Sequence, residues 1–405
     1  MSGSMISVAE ARDRILAGLR PTPAEILPLA QAWNRVLAAD IRARLTQPPH
    51  DVSAMDGYAV RAADAVLGAR LEVIGSAPAG HPFDGAVGPG QTVRLFTGSV
   101  VPAGADAILL QEDTSREDDI AVVNEAVTAG RHIRRAGQDF AAGDVLIAAG
   151  RKLTARDIGL AASGNHPWVS AHRSPRIAIL ATGDEIALPG DPIPTGGIVS
   201  SNSHALAALV RACGGDPIVL PIAADTEEAI AAVADSVAGM DMLVTTGGAS
   251  VGDHDLVVAG LTKRGLTVDF WKIAMRPGRP LMHGALGAVP VLGLPGNPVS
   301  ALVCAILFLI PAIARLNGLP AGPPPTTIAS LGAPLAANDW RADHLRATLA
   351  IGADGKLSAT AFGVQDSAML RRLSLADALI LRAPHAQAVP QGGDVEIIRL
   401  DSLGI

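Results

Sequence analysis

Cysteine is nearly absent: the 405 residues contain two, Cys213 and Cys304. Both stand in apolar, helix-like surroundings, which reads as two buried thiols of a reducing compartment rather than a disulfide or a metal pair. Aromatic residues make up 3% of the chain, too few for the stacking platforms that bind nucleic-acid bases. Positive charge is in deficit, with 32 Lys+Arg against 39 Asp+Glu and a net charge of −7. No basic face is available for a polyanion, so nucleic acid is not an expected partner. A small anion is still compatible, because local amides and a few cations suffice to hold it. The longest apolar run, Val299–Ile310, is bounded by prolines and falls short of the roughly 20 residues of a membrane span. The opening MSGSMISVAEARDRIL has no apolar signal segment. The expectation is a soluble, cytoplasmic protein with no membrane contact.

Several catalytic signatures are missing too. No Walker A sequence and no G-x-G-x-x-G occurs, which speaks against a P-loop NTPase and a dinucleotide enzyme. No Ser/His/Asp nucleophile elbow is present, and His204, His254 and His283 are scattered, without the spacing of a zinc or iron site.

What is present is a globular, loop-rich chain, half hydrophobic by residue, with 43 Gly and 29 Pro and room for two to four domains. Residues 5–40 read as two helices broken at Pro21-Thr22-Pro23. Residues 46–139 are a β-rich insertion of short apolar runs (Leu71–Ile74, Thr92–Leu95, Ala107–Leu110, Ile120–Val123) between Gly, Pro and Asp turns. Thr154 is a plausible cap for a helix over Ala155–Ser163, and 1–45 with 140–173 read as one discontinuous helical domain around the insertion. From 174 to 318 strands alternate with helices, the pattern of a doubly wound, mostly parallel α/β core. A Gly318–Pro325 linker leads to a small β domain over 326–405.

The most informative stretch is VTTGGASVGDHD at 244–255. An apolar strand ends there in a glycine pair and small polar residues, then runs into acids and a helix. That pattern bares backbone N–H groups for an anion. Thr182-Gly183-Asp184-Glu185, Asn202, Asp225 and Pro295-Gly296-Asn297 end or follow other strands of the same core, and Asn297-Pro298 is an N-cap followed by an N1 proline. Carboxylates at Glu185, Asp225 and Asp255 would repel a phosphate unless a divalent cation lies between, and oxygen donors suit Mg²⁺. Lys272, Arg276, Arg279, Arg341 and Arg346, with Ser367, are the cationic and hydroxyl counterpart.

Taken in order, SAMDGYA, RLFTGSVVPAGADAI, GQDF, ATGDE, SNS, TTGGASVGDHD, FWKIAMRPGRP and GLPGNPVSA resemble the molybdopterin molybdenumtransferases, the molybdenum-insertase family that includes the C-terminal domain of gephyrin. The resemblance runs over nearly the whole chain. It implies a discontinuous helical domain, an inserted β-rich domain, a molybdopterin-binding α/β domain and a C-terminal β-barrel, in a homodimer. It implies insertion of molybdate into adenylylated molybdopterin, giving molybdenum cofactor and AMP, with Mg²⁺. Carried over, the catalytic positions fall on Asp56, Thr97, Asp139, Glu185, Asp225 and Asp255, the last three also as metal ligands. Molybdopterin and its phosphate would meet Thr182, Gly183, Asn202, Gly247, Gly248, Ser250, Gly252, Pro295, Gly296 and Asn297. Molybdate would meet Lys272, Arg276, Ser300, Arg346 and Ser367. Arg276 departs from the usual bacterial Lys, and Asp225 is followed by Thr226 rather than a second Asp. The resemblance also suggests that Asp56, Thr97 and Asp139 serve the core of a partner subunit. Two other readings remain: a molybdopterin adenylyltransferase, which shares the glycine loop without the flanking domains, and a gephyrin-like scaffold.

Overall fold

A computed structural model describes residues 5–247, 256–352 and 355–403. The chain divides into two compact units: 1–25, 34–38 and 170–405 form one, 26–33 and 39–169 the other. Helix α1 (Val8–Ala17) opens the larger unit; Ser7 caps it by accepting the Glu10 amide. Its Ala11 and Ile15 are buried in one cluster with Ile177, Ile179 and the apolar helix that follows residue 297. Thus α1 packs on the α/β core; the sequence expected 1–45 and 140–173 to form one domain, whereas 1–25, 34–38 and 170–173 fall in the larger unit and the rest of those residues in the smaller one. The second expected helix, over residues 26–37, is absent: Ala24–Pro28 is a strand and Leu29–Gln31 a single 3₁₀ turn. Pro28 stands inside the apolar pattern, where it removes a helical N–H donor and holds the residue before it extended.

The smaller unit is built on six strands, β1 (Gly57–Val60), β2 (Arg70–Ala77), β3 (Gln91–Leu95), β4 (Ala107–Leu110), β5 (Thr114–Glu117) and β6 (Ile120–Val123), in the order β4-β1-β3-β2-β6-β5. Each of the four expected apolar runs is a strand here. Helix α2 (Ala155–Ser163) starts at the expected cap: Thr154 and Asp157 form a reciprocal capping box.

The core sheet uses β7 (Arg176–Ala181), β8 (Asp216–Val219), β9 (Met242–Thr246), β10 (Leu266–Lys272), β12 (Pro280–Leu286) and β13 (Val289–Leu294), in the order β8-β7-β9-β13-β12-β10; the two-residue β11 (Met275–Arg276) lies outside it. The first four run parallel, and β12 and β10 extend the sheet antiparallel to their neighbours. Alternate residues of β7 divide the packing. Ile177 and Ile179 face helix α3 (Asn202–Ala212), while Ala178 and Leu180 face α4 (Glu227–Ala234) and α5 (Leu256–Thr262). Helix α6, Pro298–Leu316, joins α3 on the first face; it contains a π-helical turn at Ala305–Leu309. At 19 residues α6 is longer than its longest apolar run suggested and long enough by composition to cross a membrane. It is 78% buried, and serves as a core helix.

Past the linker, β14 (Thr327–Leu331), β15 (Ala342–Ile351), β16 (Leu357–Ala361), β17 (Ala378–Arg382) and β18 (Asp394–Arg399) close into a five-stranded barrel through the β15–β17 pairing. Strand β11 joins the barrel, with Arg276 beside Asp343.

Candidate functional site

The parallel strands β7, β9 and β13 end together, and their loops interlock. The Thr182 amide donates to Thr246 O at 3.3 Å, and the Gly183 amide to Ala223 O at 3.3 Å. Gly247 has φ +92°, and a methyl group on it would stand 2.6 Å from the Thr182 carbonyl oxygen. Only glycine fits that approach. Gly296 lies against Gly247 from the β13 side. Asn202, in the first turn of α3, ties this edge together: its Nδ2 donates to Gly296 O at 2.7 Å and to Thr246 Oγ1 at 2.8 Å, and Thr246 Oγ1 donates to Pro295 O at 3.4 Å. A carbonyl only accepts, so this contact orients the amide. The Asn202 Oδ1 and the Thr182 hydroxyl are then left buried without a partner among the described residues. Buried polar atoms without partners are rare, and here two occur at one sheet edge.

Two acids bracket the neighbouring loops. Asp184 Oδ1 accepts the Asp225 amide at 3.0 Å, and Asp225 Oδ2 accepts the Asp184 amide at 3.4 Å. Glu185 folds back over its own turn; a methyl group on Gly183 would stand 2.5 Å from Glu185 Oε2. Glu185 and Asp225 are exposed oxygen donors of the kind Mg²⁺ takes. Among the described residues no three His, Cys, Asp or Glu side chains form a metal cluster. Asp255, the third acid expected here, lies outside the described residues, as do Gly248, Ser250 and Gly252.

The cations are held differently from one another. Lys272 is half-buried at the end of β10; its carbonyl accepts the Ile6 amide, and its ammonium makes no hydrogen bond or ion pair among the described residues. Arg276 is engaged: its Nε donates to Asp343 Oδ1 at 2.7 Å, Nη2 reaches Asp343 Oδ2, and Nη1 reaches Asp339 at 3.4 Å. Arg346, on β15, is 1% exposed. Its Nη2 donates to Asp366 O at 3.0 Å, its Nε has no partner, and it has no carboxylate in ion-pair contact among the described residues. Burial lowers the Arg346 pKa from its ordinary value.

The expected side-chain cap of α6 is not made. Asn297 instead donates to Ser367 Oγ at 3.0 Å, and the Ser367 carbonyl accepts the Val299 amide at 3.1 Å. Ser300, in the same first turn, is buried. Ser367 is thereby drawn to the positive end of α6.

In the smaller unit, Asp56 and Thr97 are in contact. Asp56 Oδ1 accepts the Thr97 amide at 2.8 Å and its hydroxyl at 2.9 Å. Those two donors, the amide first, hold the Asp56 carboxyl below its ordinary pKa. Arg94 lies over the rings of Tyr58 and Phe96, with its Nη1 on Gly57 O at 2.8 Å. Asp139 is exposed, its amide donates to Gln47 O, and its carboxylate bonds neither Asp56 nor Thr97.

Thr246, Asp184, Asp343 and Gln365 hold these groups and were not singled out as site residues in the sequence. Asp184 and Thr246 stand inside strand-end motifs that were, so proximity pointed to them. Nothing local marks Asp343 or Gln365.

Residues 6–164 match the MoeA N-terminal region (domain I and II), 178–315 a probable molybdopterin binding domain, and 329–400 the MoeA C-terminal region (domain IV). The molybdopterin molybdenumtransferase of Haemophilus influenzae is 35% identical over 399 residues, covering 97% of this chain and 98% of the relative. That of Bacillus subtilis is 32% identical over 405 residues, covering 97% and 94%. A crystal structure of the molybdopterin biosynthesis MoeA protein from Pyrococcus horikoshii aligns at a TM-score of 0.83 with 26% identity, over 97% of this chain and 99% of that one. Three regions matched in sequence order, and relatives this similar over almost their full length, establish that the chain belongs to the molybdopterin molybdenumtransferase family of enzymes.

Proposed function

We propose that this enzyme inserts molybdate into adenylylated molybdopterin, releasing AMP and molybdenum cofactor. The observation that carries the reading is Arg346, a guanidinium 1% exposed with no carboxylate in ion-pair contact among the described residues and an unpartnered Nε. A buried cation whose nearby carboxylate, Asp366, acts on it only at a distance is costly, and a small oxyanion next to Ser367 would supply a contacting charge and accept the free N–H. Lys272, with an uncommitted ammonium, is the second cation available to it. The pterin adenylate belongs at the glycine edge. The glycine-pair sequence that follows β9 suits its phosphate, while Asn202 Oδ1, unpartnered among the described residues, is an acceptor and suits an N–H or O–H group.

Mg²⁺ is a proposed cofactor. Glu185 and Asp225, with Asp255, would hold it, and it would neutralise charge on the phosphate. A homodimer working in the cytoplasm is proposed too, and light scattering at working concentration tests the stoichiometry. Purified chain with Mg²⁺, molybdate and adenylylated molybdopterin should release AMP in step with molybdenum cofactor. Consumption of ATP with bare molybdopterin would favour adenylyl transfer; neither activity would leave the scaffold reading.

A further inference from the structure

We propose that Gln365 is a positioning residue for the oxyanion end of the site, an inference that rests on reading Arg346 and Ser367 as molybdate-holding residues. The last rung between β15 and β16 is Ala347 opposite Ala361, after which Phe362 donates its amide to Arg346 O at 3.0 Å and the chain turns away. The Gln365 side chain takes over the next position. Its Oε1 accepts the Arg346 amide at 2.9 Å, and its Nε2 donates to Arg346 O and to Phe362 O, both at 2.9 Å. A primary amide has one acceptor and two donors here, and all three contacts go to main chain. Gln365 Oε1 thus stands in for the strand carbonyl that would accept the Arg346 amide, and its Nε2 shares Arg346 O with the Phe362 amide.

The next two residues carry the consequence. Asp366 O accepts Arg346 Nη2 at 3.0 Å. Ser367 is tied to the start of α6 through Asn297 Nδ2 at 3.0 Å and the Val299 amide at 3.1 Å. The segment 365–367 therefore runs from the backbone of the buried arginine to the hydroxyl beside the α6 N-terminus, and Gln365 anchors one end. With that anchor gone, β15 keeps its ladder to β17, with Arg346 opposite Leu379. The fold has a second support at this position, whereas the link from guanidinium to hydroxyl is then left to the Asp366 carbonyl and the two bonds of Ser367 to the start of α6.

The test is steady-state kinetics and calorimetric molybdate binding on the full-length enzyme carrying Gln365→Met, which keeps the side chain's length and removes every polar contact. The expected result is a rise of about tenfold or more in the molybdate KM and Kd. The kcat at saturating molybdate and the KM for the pterin adenylate should stay within about twofold. Gln365→Asn, too short to span both backbone groups, should fall between, and it replaces the Met variant if that one does not fold. If kcat and both KM values move together, Gln365 is merely structural and the proposal fails. If molybdate binding is unchanged in the Gln365 variants but weakened in Ser367→Ala and Arg346→Lys, the positioning role fails and the reading of the site stands. If the Ser367 and Arg346 variants also bind molybdate normally, the reading itself fails.

Discussion

Arg276 and Asp343 face each other as partners on adjacent parallel strands, and the two nitrogens on that edge of the guanidinium, Nε and Nη2, meet the two oxygens of the Asp343 carboxylate. Asp343 is buried, and its hydrogen bond, then its charge, raises the Arg276 pKa. The pair bolts β11, which follows Lys272, to the barrel strand that carries Arg346. In this arrangement Arg276 is a clamp, whereas the resemblance made it a molybdate ligand.

Arg276→Lys keeps the charge and loses the fork. We expect it to lower the unfolding free energy by about 1 kcal/mol, read from the urea midpoint, and to leave the molybdate KM within about threefold. Asp343→Asn, which leaves Arg276 without its charge partner, should cost more. A large rise in molybdate KM at unchanged stability in Arg276→Lys would return the residue to the anion site.

Thr97→Val isolates the hydroxyl from the amide at Asp56. The amide is the larger cause of the lowered carboxyl pKa, the hydroxyl the second. A depressed carboxylate contributes stability that is full above its ordinary value of 3.8 and is lost as pH falls through its lower folded value. The variant should move the Asp56 pKa upward but keep it below that ordinary value, as followed by carboxylate NMR titration. A return all the way to the ordinary value would mean that the hydroxyl alone sets it.

The core strands were readable because Ile177–Leu180 and Met242–Thr246 are apolar runs ended by turn residues. Strand β12 was not, since Met282, His283 and Gly284 lack the β-branched signature; pairing with β13 across a two-residue turn makes it a strand. The same division holds at the site. Thr182, Asn202, Gly247 and Gly296 could be found because strand ends gather at one edge of a parallel sheet. The clamp from Arg276 to Asp343 spans 67 residues and depends on barrel register, and the Gln365 bonds depend on where a turn brings a side chain back. Tertiary geometry decides both.

Gly247→Ala probes the glycine edge. Its backbone is left-handed, and the added carbon would collide with the Thr182 carbonyl, which cannot swing aside without breaking the Thr182–Thr246 and Thr182–Ala223 pairings. We expect a loss of roughly 1–3 kcal/mol in stability and a sharp loss of affinity for the pterin adenylate, with molybdate binding largely kept. Wild-type pterin affinity in a stable variant would show that the close approach at Gly247 is not needed for the ligand.

His344 supplies the clearest pH dependence. It is buried on β15 beside Asp343, with Nδ1 unpartnered among the described residues, and burial pushes its pKa down to about 4. Unfolded, the same imidazole titrates near its ordinary 6.5. The neutral ring is therefore favoured by the fold. Its contribution is full above the unfolded pKa and is lost as pH falls from there toward about 4. The loss is bounded on the order of 3 kcal/mol. His344→Leu removes this titration and leaves the carboxylates that titrate nearby, so urea midpoints measured from pH 7 down to pH 4.5 should fall more steeply for the wild-type chain than for the variant. Parallel profiles would mean that His344 is solvated or already paired in solution, and that the burial seen at β15 does not control its charge.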